Sequence, residues 1–69
     1  AYVARREARQ AEGVLAMARQ LRQAGRLERA LVHYRRIQRE FPRTPAAARA
    51  GKEALEVQDL LAVENAAAP

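Results

Sequence analysis

Two interruptions decide what this chain can fold into. Gly25 and the segment Pro42–Arg43–Thr44–Pro45 cut an otherwise helical pattern into three pieces, and each cut leaves room only for a short turn. Between Val3 and Ala24, the residues Ala4, Ala8, Ala11, Val14 or Leu15, Ala18 and Leu21 recur at steps of three and four. Arginines and glutamines fill the other side, which predicts an amphipathic helix over 3–24. Gly25 follows, and glycine accepts the left-handed backbone that closes a helix. Leu27, Ala30, Leu31, Tyr34, Ile37 and Phe41 repeat the pattern and predict a second helix over 27–41. Pro42 stops it, because the residue before a proline is pushed out of helical geometry. Thr44 suits an N-cap and Pro45 the first helical position, so a third helix is expected over 45–63. Ala47, Ala50, Gly51, Ala54, Val57 and Leu61 share one side of it, and its small first two turns invite a close neighbour.

Turns this short force neighbouring helices to run antiparallel. The expected fold is all-α, a three-helix antiparallel stack. Its core is expected to hold Leu15, Ala18, Leu21, Leu27, Ala30, Leu31, Tyr34, Ile37, Phe41, Ala47, Ala54 and Leu61. Along the chain this gives a basic helical extension over 1–10, a helical hairpin over 11–44, a third helix over 45–63 and a flexible tail over 64–69. Arg49–Glu53 and Lys52–Glu56 are expected to pair at i,i+4 within the third helix.

A chain of 69 residues is short of core, and the usual staples are missing: it has no cysteine, and its single histidine cannot build a zinc site. Help from neighbouring chains or a larger parent protein is expected. The start at Ala1, without a methionine, fits a processed product, a fragment or the ordered part of something longer.

The net charge of +5 is uneven. Residues 1–49 carry twelve arginines against four glutamates, whereas residues 50–69 carry Lys52 against Glu53, Glu56, Asp59 and Glu64. Such a division would attract an acidic partner or let two copies pack head to tail, unless the arginines simply solvate the outer helix faces.

The side chains for chemistry are absent. With no serine or cysteine, and Thr44 suited to capping, a nucleophile–base arrangement lacks its first member. His33 has no second ligand within helical reach, and Gly13, Gly25 and Gly51 are too scattered for a phosphate loop. The expectation is a protein that is not an enzyme and that takes no metal or cofactor. Nucleic acid is the alternative that a sequence pI near 11.1 raises. The arginines spread around the first two helices and only three aromatics exist, so sequence-independent phosphate contact is the one form available. The basic stretch Tyr2–Gln10 offers at most a peripheral contact to an anionic membrane surface, since its apolar face is mostly alanine.

The hairpin resembles a tetratricopeptide repeat. Val14, Met17, Ala18 and Leu21 stand at the first-helix signature positions, Ala30 and Tyr34 at those of the second, Gly25 at the turn and Pro42 at the close. Val14 replaces the usual aromatic, Leu21 a tyrosine, and Ile37 a small residue. "FPRTPAAARA" is similar to the variant found in bacterial envelope proteins of this family, which agrees with the alanine and arginine bias of a GC-rich genome. The resemblance implies a bacterial scaffold in a multi-subunit complex, in the cell envelope or periplasm or at a membrane rather than in the cytoplasm. It also implies a partner-binding surface on the first helix, whose outward positions are Glu12, Leu15, Ala16, Arg19, Arg22 and Gln23. The lysine and asparagine of carboxylate-gripping members are replaced by Leu15 and Arg19, leaving Arg19 and Arg22 to hold an acidic side chain. On the third helix, Val57, Leu60, Leu61 and Val63 spread wider than the second helix can cover. Leu60 and Val63 are therefore expected to meet a protein partner, a second copy or a neighbouring helix.

Overall fold

Local signals along the chain account for all three helices. The computed structural model describes the backbone of residues 2–67 and the side chains of residues 5–66. Helix α1 is Tyr2–Gln23, α2 is Leu27–Glu40 and α3 is Pro45–Ala67, with no strand among the described residues. The expected all-α three-helix stack is the fold observed. Ala1, Ala68 and Pro69 lie outside the described residues, as do the side chains of Val3 and Ala4 that the sequence placed on the first helix.

Gly25 closes α1 with φ +82°. The Arg26 N–H reaches back to the Leu21 carbonyl at 2.8 Å and the Gly25 N–H to the Arg22 carbonyl at 3.0 Å, the two bonds of a Schellman end. At the second corner the Phe41 N–H still bonds the Ile37 carbonyl at 2.8 Å, after which Pro42 bars further helix. The Thr44 hydroxyl donates to the Phe41 carbonyl at 2.7 Å and accepts from the Ala47 N–H at 3.3 Å. One buried side chain thus bridges the carbonyl that caps α2 and an amide in the first turn of α3. It does so beside the backbone bonds from the Thr44 N–H to the Phe41 carbonyl at 3.2 Å and from the Ala47 N–H to the Thr44 carbonyl at 3.1 Å. Thr44→Ala is expected to lower stability by about 1 kcal/mol, with Thr44→Ser recovering most of it. Thermal melts of the two variants compare directly, and equal melting temperatures for Thr44→Ala and the parent would contradict the cap.

The third helix corrects the expected tail. It continues through Glu64 and Asn65 to Ala67, because no glycine or proline intervenes before Pro69 and alanine propagates a helix well.

Small residues dominate the core. Ala11, Ala18, Ala30, Ala46, Ala47, Ala50 and Ala54 are buried, with Leu15, Tyr34, Ile37 and Val57 as the large side chains among them. Alanine seams bring the helix axes close, so the longer side chains at the seam edges keep one open side. Leu21, Leu27, Leu31, Phe41 and Leu61, expected inside, are therefore only half-buried. Gly51 continues the seam: a Cβ there would meet the end of the Gln38 side chain at 2.8 Å. Three helices in this order give an elongated body of 51 × 18 × 13 Å, with α2 packed against both of its neighbours.

Candidate functional site

The polar side chains that meet across helices do so on the side where α1 approaches α3. Arg19 of α1 donates from Nε to Glu53 Oε1 at 3.0 Å and from Nη2 to Oε2 at 2.7 Å, a bidentate pair. Tyr34 of α2, whose ring is in the core, donates its hydroxyl to the same Glu53 Oε1 at 2.9 Å. One carboxylate thereby ties all three helices. Arg22 Nη1 donates to Glu56 Oε1 at 3.0 Å, and Arg49 approaches Glu12 at 3.8 Å. The i,i+4 pairs expected inside α3 are replaced by these interhelix contacts. Arg49 turns to Glu12, while Glu53 and Glu56 turn to α1, where a partly desolvated fork gives more than an exposed pair along one helix.

Electrostatics follow the geometry. Hydrogen bonding from Arg19, helped by the Tyr34 hydroxyl, holds the Glu53 carboxyl below its usual 4.5 against the opposing effect of burial. Burial pushes the Tyr34 phenol above its usual 10.0, and the bond to Glu53 adds to the rise. The carboxylate is kept ionised and the phenol protonated, the phenol committed to Glu53 and Glu53 to both Tyr34 and Arg19. That is a fastening of helix to helix. No buried side-chain nitrogen or oxygen among the described residues lacks a partner.

The expected binding residues separate accordingly. Arg19 and Arg22, read as a grip for a partner's acidic segment, hold this chain's own Glu53 and Glu56. Leu15 is only 1% exposed, since its side of α1 faces the core, so it is not a contact for a partner. Glu12 is exposed but leans to Arg49; Ala16 and Gln23 are exposed. Leu60 and Val63 are exposed as expected, at 43% and 66%, whereas Val57, grouped with them, is buried against the core.

Two further surfaces escaped the sequence. Leu55 is exposed on the far side of α3. Between α1 and α2 lies an open groove with Val14, Met17 and Phe41 as apolar walls and Gln10, His33, Arg36 and Glu40 among its polar lining. Met17 is 52% exposed. The signal for this groove was present in the one-turn spacing of Val14 and Met17, which the sequence placed only as signature positions of the first helix. His33 Nδ1 donates to the Arg29 carbonyl at 2.9 Å, which ties its ring to α2. Among the described residues no group of three or more histidine, aspartate or glutamate side chains is arranged for a metal, and no helix is long and apolar enough to cross a membrane.

The chain matches no family model, no curated protein and no solved structure.

Proposed function

We propose that this chain is a non-catalytic protein-interaction module, a helical hairpin of the tetratricopeptide type followed by a further helix, working as a scaffold element in a larger assembly. The observation that carries this is the placement of uncovered apolar surface at the two flanks of a stack whose interior polar groups are satisfied. Met17, beside the partly buried Val14, is exposed on one flank, and Leu55, Leu60 and Val63 are exposed on α3. Repeat units of this kind bury such faces only against neighbours. Both of the tighter α1–α3 ion pairs join residues 34 positions apart, the length of one tetratricopeptide repeat, which supports equivalent roles for the two helices.

The test is quantitative capture from the native source with the full chain as bait. A specific protein should be retained, and Leu60→Asp/Val63→Asp or Met17→Glu should reduce its recovery while circular dichroism stays unchanged. Retention that ignores all three substitutions, or a bait that retains only nucleic acid with steep loss as salt rises, would remove the proposal.

A further inference from the structure

Positive charge left over from the α1–α3 pairs collects on the outer face of α2. Arg29, Arg35, Arg36 and Arg39 are all exposed there, and the steps 29, 32, 36 and 39 follow a single helix face, with Arg35 beside it. From Arg26 to Arg43, six arginines stand against Glu28 and Glu40, a surplus of four out of the chain's +5. Among the described residues, Arg36 is the one of these six paired with an acidic side chain, Glu40 at 3.3 Å. Val32 sits in the middle of this face and is 64% exposed. The sequence alone suggested arginines scattered around the helix; the fold turns these four to one side.

We propose that this face docks an acidic helical segment of a partner protein. Arginines separated by three, four and seven residues lie about 5–10 Å apart along the axis, the spacing of carboxylates at i, i+4 and i+7 on a facing helix. The molecule already joins two of its helices in this way. Arg19 and Arg22, three residues apart on α1, meet Glu53 and Glu56, three apart on α3. The planar guanidinium suits bidentate pairing with carboxylates. Val32 decides between acidic partners. It gives an aliphatic side chain on a protein something to pack on, whereas it adds nothing to contact with a phosphate backbone, and one valine has little area to insert into a bilayer. Tyr34 is buried and Phe41 packs on the core, so among the described residues this face of α2 presents no aromatic for stacking on the bases of a single strand. The face is separate from Leu60 and Val63 but shares Arg36 with the Val14–Met17 groove, so its test substitutes Val32, Arg35 and Arg39, which lie outside both surfaces proposed above.

The experiment titrates the full chain, at physiological salt, with a synthetic helical peptide bearing glutamates at i, i+4 and i+7 around a central leucine. The same peptide with serine in place of leucine, a mixed-sequence DNA duplex, and phosphatidylcholine–phosphatidylserine vesicles are titrated alongside. The leucine peptide should bind tightest. Arg35→Glu/Arg39→Glu should weaken it about tenfold or more, and Val32→Ser about threefold, while the matched change Arg5→Glu/Arg6→Glu on α1 stays within about twofold. All these positions are exposed, and circular dichroism verifies the fold of each variant. No binding of the peptide, equal weakening by the α1 pair, or tighter binding of the duplex or the vesicles overturns the proposal. Leu60→Asp/Val63→Asp should leave peptide affinity unchanged even where it abolishes capture of the native partner.

Discussion

Tyr34→Ala is expected to leave the chain mostly unfolded. The ring is among the largest fully buried side chains, set between alanine seams that cannot close over the space it would leave. Truncating a buried aromatic costs about 3–5 kcal/mol, and a domain of this size has only about 5 kcal/mol of stability in total. Far-ultraviolet circular dichroism should show most of the helix lost at room temperature. Tyr34→Phe keeps the ring and removes only the hydroxyl that Glu53 accepts, which should lower stability by about 1 kcal/mol. A Tyr34→Ala variant melting within a degree or two of the parent would place the ring outside the core and refute the packing described. Leu31→Ala, at another position expected in the core, should do less, because Leu31 is only partly buried.

Glu53→Ala is expected to have the next largest effect, about 2 kcal/mol. It strips the acceptor from the Tyr34 hydroxyl, whose ring is buried, and frees a guanidinium that is half exposed and can rehydrate. The first loss dominates, since an unsatisfied buried hydroxyl is more costly than an exposed charge without a partner. The same group sets a pH dependence. Glu53 has a folded-state value below its ordinary 4.5, so the stability it contributes is present above 4.5 and is lost as pH falls through the depressed value. Tyr34 has a folded-state value above 10.0, so its contribution is present below 10.0 and is lost as pH rises through the raised value. Stability should therefore fall at both extremes. Melts across the acid range should show a shallower decline for Glu53→Gln than for the parent, and melts in alkali a shallower decline for Tyr34→Phe. Parallel acid limbs for parent and Glu53→Gln would mean that Glu53 is not held ionised by Arg19.

The helices and their corners were readable because they depend on local chemistry. Gly25 at a left-handed position and Thr44 between two prolines act on their own neighbours, wherever the rest of the chain goes. The end of α3 was misjudged because a run of alanines carries no periodicity, although it remains helical. The site was less legible, since it depends on how far apart helix axes settle. Arg19 and Arg22 looked like a surface waiting for a partner, and Glu53 and Glu56 like members of i,i+4 pairs on another helix. Only the folded arrangement, which sets α1 beside α3 along an alanine-rich core, brings the two rows together. Leu15 was expected both in the core and on the contact surface, and only the first holds, because which edge of a helix is covered depends on where its neighbour lies. Leu60 and Val63, near the end of α3, were legible because α2 is too short to cover them.

In this fold the arginines of α1 hold α3 rather than an outside partner. A double-mutant cycle between Arg19→Gln and Glu53→Gln, read from chemical denaturation of the full chain at low salt, measures this most directly. A bidentate pair shielded on the Glu53 side, where the side chain is 16% exposed, should show a coupling of about 1 kcal/mol that shrinks as salt is added. Additive single effects, with coupling below about 0.2 kcal/mol at every salt concentration, would contradict the interhelix fastening and return Arg19 to the surface available for a partner.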